Sequence, residues 1–484
     1  MGKFSINRRG FIGVSSAFTL SNFVAPYLLR AQGKADRKLL FVIAAGGGAS
    51  IMDSLLPVLS TEAGGGIHSF TPEQVASPQG SAFRCPIPIA DNTIQGAVPF
   101  GSGYPIANFL TKHTADTVVM TNEVSSVNHN IAAKRAITGN NVNAGRTLME
   151  AVAAKYGKDI ILPNCNMAGG GYGEQGIDAS LDAHFRGSAI SDPLTFAFAL
   201  DSTRGILGAP DKKMLSEALK IRLELEKSTD FAKTFGYSPL LQEYVESREA
   251  FAKAISKGDL IDKLMLLQSS GNVDLSKFGL QTSKDMEQIL SKFPDVATDP
   301  FQAQAALGFL LAKHSVSTAI TITPGASPVF KGDDNRVVNA PIGFDFSHQD
   351  HRGTQNAMWS RVFETADSLI DLLKAQDMDG DPAKGKMWDH SLIYIATEFG
   401  RDKTGGSSGH HLNNGNVMIS PLLKGNTIFG GIDPQTGLTY GFNPVTGEPD
   451  QGINLNETHV YSAVCQALGV DFKDRQNMSA MMKA

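Results

Sequence analysis

The chain has 484 residues, with 43 Lys and Arg against 48 Asp and Glu and a formal net charge of -5 at pH 7. That balance argues against nucleic acid as the main partner, because phosphate binding needs a basic surface. Three cysteines exclude a disulfide-rich scaffold, and the length admits two domains or one elaborated one.

Residues 1–31 read as an export leader. Asn7-Arg8-Arg9-Gly10-Phe11-Ile12 is close to the twin-arginine pattern, a weakly apolar stretch runs to Leu29, and Leu29-Arg30-Ala31 suits processing. A periplasmic or secreted protein is expected. Arg30 and the many small or polar residues before it argue against a permanent membrane span. Cys85, Cys165 and Cys465 are expected to be mostly buried thiols, with Cys85–Cys165 the one pairing worth testing.

Residues 32–484 are expected to form one α/β domain, a doubly wound and mostly parallel sheet with helices on both faces. Lys38 to Ala44 is a continuous apolar run, as in a strand covered on both sides. It breaks at Gly46-Gly47-Gly48, with Asp53 just beyond. Strands are expected at 117–120 and 160–162, with helices at about 131–138 and 146–156. Residues from about 195 to 298 read as a helical insertion that shapes access. Its helices are expected at 212–227 (Leu215, Leu219 and Leu223 on one stripe), 244–255 and 260–267. The α/β pattern then resumes with helices at 302–313, 359–374 and 458–468 and strands at 317–323 and 392–396, and residues 433–451 read as loop or hairpin.

Three segments carry metal-site chemistry at strand ends, where α/β proteins gather their ligands. The strand Ser391 to Ala396 ends at Thr397-Glu398-Phe399-Gly400-Arg401 and leads to Gly409-His410-His411. Asp345, His348, Asp350 and His351 fall within seven residues, and Asp53 follows the first strand. Carboxylate with imidazole is a good ligand set for zinc and similar ions. Asn128-His129 precedes a helix whose start suits an anion, with Asn128 as its cap. The glycine run lacks the Lys-Ser/Thr of a phosphate-binding loop and the glycine spacing of a dinucleotide fold.

These pieces together resemble the exported bacterial domain-of-unknown-function family 1501. The twin-arginine leader, Gly47-Gly48-Ala49-Ser50-Ile51-Met52-Asp53, Asn128-His129 with Thr138-Gly139, Phe344 to His348, Glu398 to Arg401, Gly409-His410-His411 and Thr458-His459 all have counterparts there. That family is similar to the alkaline phosphatase and sulfatase superfamily. The resemblance implies that fold and divalent metal ions (zinc, manganese or calcium) at the carboxyl edge of the sheet. Asp53 and Glu398 would ligate one ion and Asp345, His348 and His411 the other, with His410 a further ligand and Asn128, Asp350 and His351 as additional candidates. His129 stands nine residues before the Thr-Gly, where superfamily hydrolases place an alcohol or formylglycine. It would act beside the reacting anion, with Arg401 stabilising charge. The expected function is hydrolysis of a small or polymer-borne phosphate or sulfate ester. The alternative is a non-catalytic exported protein that keeps the fold.

Overall fold

The computed structural model describes residues 37–89, 103–200, 212–238, 260–269, 274–278, 280–325, 330–331, 337–338, 343–404 and 409–483. The leader and the 244–255 helix lie outside them. Eight strands form the central sheet: β1 Leu39–Ala45, β2 Thr117–Glu123, β3 Asn164–Asn166, β4 Ser188–Ala189, β5 Ala319–Ile322, β6 Ser391–Thr397, β7 Asn413–Ile419 and β8 Thr427–Phe429. Their order is β8-β2-β7-β6-β1-β5-β3-β4. β7 runs antiparallel to both its neighbours, and every other pairing is parallel.

β1 and β6 are buried at every position, which their unbroken apolar runs require of central parallel strands. Alternate side chains of β1 enter opposite cores. Leu39, Phe41 and Ile43 pack with the helices Ile106–His113, Pro300–Lys313 and His351–Ala375, while Leu40 and Val42 pack with His129–Thr138, Leu148–Tyr156 and Glu457–Ala467. Helices therefore cover both faces of a mostly parallel sheet.

Two expectations shift. The strand expected at 160–162 begins at Asn164, because Pro163 has no N–H for the ladder. Residues 433–451, expected as loop or hairpin, do form hairpins, Gly431–Ile432 pairing antiparallel with Thr439–Phe442 and that strand with Pro449–Asp450. The later part of the expected insertion is core, since Leu260, Ile261, Leu264, Ile289 and Phe293 are buried in the same cluster as β1. All three cysteines are free and buried, so Cys85 and Cys165 are not paired; burial pushes both thiols up to about 12. Among the described residues no helix is long and apolar enough to cross a membrane.

The parallel register sets Ala45 beside Thr397 at the carboxyl edge. The next residues of each chain, the glycine turn and Glu398, therefore emerge side by side. Gly47 and Gly48 adopt φ of 98° and 77°, in the left-handed region that glycine tolerates. A methyl on Gly47 would lie 2.3 Å from the Asp345 amide nitrogen. Gly47→Ala is therefore expected to cost about 2–3 kcal/mol by denaturant unfolding, whereas Gly80→Ala, with open space around it, should cost less.

Candidate metal centre

Four segments converge on the carboxyl edge. β1 supplies the glycine turn and Asp53, which closes the short 3-10 turn Ile51–Asp53. The helix His129–Thr138 presents its first residue, the 3-10 turn Gly343–His348 carries Asp345 and His348, and the hairpin Gly400–Arg401/His410–His411 follows β6.

One cluster surrounds Asp345. His129, Asp345 and His410 bring ligating atoms within 4.8 Å of one another and could hold a metal ion. Asp345 Oδ1 lies 3.2 Å from His348 Nε2, 3.5 Å from His410 Nε2 and 3.7 Å from His129 Nε2. The Nδ1 atoms of two of these rings are held from outside. His129 Nδ1 sits 2.6 Å from Glu398 Oε1, and His410 Nδ1 sits 3.2 Å from the Val127 carbonyl. A carboxylate or carbonyl oxygen can only accept, so each Nδ1 carries a proton, and Nε2 is the atom that a neutral ring would offer to a metal. That is the outer support metal-bound imidazoles need. The hydrogen bond to buried Glu398 raises the pKa of His129 against the opposing effect of burial, and burial, with Arg401 and His129 nearby, lowers that of His410. The cluster is open: the side chains of His129, Asp345 and His348 are 30%, 22% and 45% exposed.

Three expected roles change here. Glu398 stands behind His129 rather than joining the ligating group, with its Oε1 also accepting from the Gly47 amide at 2.8 Å. His129 takes the ligating position instead. His411 is absent from both site clusters because neighbouring strand residues face opposite ways: His410 pairs with Arg401 and His411 with Gly400. His411 Nδ1 instead accepts from the Asn413 amide. Arg401 is fully buried and bonds the Gly47, Gly48 and Phe344 carbonyls and, at 3.0 Å, Asp345 Oδ1. It positions the turn and Asp345. Phe399, wholly buried, lies under the His410 and His129 rings at centroid distances of 4.3 and 5.1 Å and keeps water from that side. Asn128 and Asp350 cap helices, accepting from the Ile131 and Gly353 amides.

A second cluster is closed. Asp53 accepts from His68 Nε2 and His351 Nε2, each at 2.9 Å, one on each oxygen. Their ligating atoms also fall within 4.8 Å of one another. Side-chain exposure is only 3% for Asp53, 8% for His68 and 4% for His351. Burial pushes the Asp53 carboxyl up, yet His351 and His68 together hold it well below the ordinary carboxylate range. Lys403 lies nearby, and its buried Nζ makes no hydrogen bond. Burial lowers its pKa to about 8 against the pull of Asp53 and Asp402. The sequence reading missed His68, whose only signal is a lone imidazole fifteen residues past Asp53, and it missed Lys403.

A third group, His113, Asp367 and Asp371, has similar spacing. Protein donors already fill it: Lys112 Nζ and His113 Nε2 lie 2.7 and 2.8 Å from Asp367, and Lys292 Nζ 2.5 Å from Asp371.

No protein-family model matches the chain, and no curated protein matches it. A solved structure described as the crystal structure of Ps i-CgsB in complex with k-i-k-neocarrahexaose aligns at a TM-score of 0.24 and 10% identity, over 92% of this chain and 75% of that one. A likeness at that level carries no argument about this protein.

Two stability profiles follow from the closed cluster. The depressed carboxyl of Asp53 stabilises the fold above its unfolded pKa of 3.8, and the gain is lost as pH falls through the folded value. Asp53→Asn should therefore cost about 3–5 kcal/mol at pH 7, and the deficit should shrink in acid. Lys403 acts in the opposite sense. Its ammonium is buried at a cost, so Lys403→Met should stabilise by about 3 kcal/mol at pH 7. The difference should close between pH 8 and 10.5, as the native lysine deprotonates before the unfolded one. Denaturant titrations across pH measure both.

Proposed function

We propose that this chain is an exported metal-dependent hydrolase of the alkaline phosphatase and sulfatase type, cleaving a phosphate or sulfate ester at the open histidine cluster. One observation carries the reading. The Nδ1 atoms of His129 and His410 are anchored to Glu398 and Val127, so both Nε2 atoms face Asp345, where solvent can enter.

The donor set fits a divalent ion: one carboxylate and two or three imidazole nitrogens, with room left for water or substrate. A metal held there would polarise an ester oxygen and lower the pKa of a bound water. The protein's own groups do the rest. Arg401 fixes Asp345 and the glycine turn, and Phe399 closes the floor. Charge at the open cluster is one negative in excess, Asp345 and Glu398 against Arg401, so the attraction for an anionic ester would come from the bound metal ion.

Metal analysis of the purified protein and turnover of p-nitrophenyl phosphate and sulfate test this. Metal-dependent turnover is expected, with Asp345→Asn abolishing it and Glu398→Gln weakening metal binding about 10–100-fold through His129. Bound metal without turnover on any phosphate or sulfate ester would favour a non-catalytic exported protein that keeps the fold. A protein that binds no metal would sink the proposal.

A further inference from the structure

The two clusters use the same residue types, and their surroundings separate them. For His351 Nε2 to ligate a metal, its proton must move to Nδ1. That atom is buried and has no hydrogen-bond partner. His129 and His410, by contrast, have acceptors at Nδ1. Metal-bound imidazoles need such acceptors.

Charge gives a second, independent reason. Metal binding requires neutral imidazoles, which leaves Asp53 with the buried Lys403 ammonium acting on it. Of the buried groups that pair already sums to zero, the other carboxylate near Lys403, Asp402, being half-buried. A divalent ion would add two uncompensated positive charges to a place where Asp53 is 2% and Lys403 2% exposed, and burying unpaired charge is strongly unfavourable. The open cluster starts from Asp345 and Glu398 against Arg401, one negative charge in excess, with water at hand. Closure weighs the same way: with the Asp53 side chain 3% exposed, little room faces solvent there for substrate or water.

We infer that Asp53 is not a metal ligand in this protein, and that the hydrogen bonds from His68 and His351 and the buried Lys403 nearby take the place of a second metal, leaving a mononuclear centre around Asp345. The inference rests on the proposed metal site only for the ion at Asp345; its claim about Asp53 stands separately. The Asp53 cluster then works as a clamp. It ties the 3-10 turn after β1 to the start of the helix His351–Ala375 and to the loop at His68, whose backbone amide bonds the Lys403 carbonyl at 2.8 Å.

Equilibrium dialysis of the full chain against zinc and against manganese, read by elemental analysis, tests this on wild type, Asp53→Asn, Asp345→Asn and Lys403→Met, with circular dichroism confirming that each is folded. Wild type and Asp53→Asn should each hold one equivalent and Asp345→Asn none. Lys403→Met, relieved of the competing ammonium, should bind a second equivalent at least tenfold more tightly than wild type does. Two tight equivalents in wild type, or an equivalent lost with Asp53→Asn while the protein stays folded, would overturn the inference. An unchanged second affinity in Lys403→Met would overturn the part assigned to Lys403. No metal in wild type would defeat the hydrolase reading and the mononuclear centre, yet agree with a metal-free Asp53.

Discussion

The site depends on a grip on one glycine turn. β1 and β6 run parallel and in register, so the turn after one and the carboxylate after the other leave the sheet together. Glu398 accepts the Gly47 amide, and Arg401 donates to the Gly47 and Gly48 carbonyls. A buried turn without these partners would leave backbone polar groups unpaired, at a cost comparable to lost hydrogen bonds. The same two side chains then reach outward, Glu398 to His129 and Arg401 to Asp345. Backbone satisfaction and site assembly are therefore one set of bonds, and neither can be altered without the other.

Around that grip, two histidine–carboxylate clusters diverge in character. Water reaches Asp345, and its imidazoles have their outer nitrogens occupied; Asp53 is sealed and already neutralised by its neighbours. Residue type alone does not separate a ligand sphere from an ion pair. What separates them is whether the second ring nitrogen finds an acceptor and whether solvent reaches the carboxylate.

Much of the fold was legible in the sequence. The unbroken apolar runs of β1 and β6 can only be central strands, and the periodic helices between them require an α/β layering. The convergence of Asp53, Asp345, His348, Glu398 and His410 on one edge was legible too, because strand ends carry the ligands. The pairing inside that convergence was not. Glu398 and His129 are 269 positions apart and Asp53 and His351 298 apart, so no local pattern records which carboxylate meets which ring. The choice between His410 and His411 follows from the two-residue period of the hairpin once its pairing with Gly400 and Arg401 is known. His68 sits in a loop with no periodicity to betray its direction.

The chain separation within the site has a consequence for how the protein is made. Gly47 meets Glu398 across 351 positions, and His129 awaits a carboxylate that leaves the ribosome long after it. Closing such long loops carries an entropic cost before any contact offsets it. A chain emerging amino end first holds a left-handed glycine turn, a capped helix and Asp345 with no site between them until the hairpin at His410 has folded back. Metal affinity should therefore arise late and abruptly, as the last stretch of the sheet is laid down. A chain that stops short of the hairpin would carry none of the centre, and it would also lack β7, which joins β6 to β2 in the sheet.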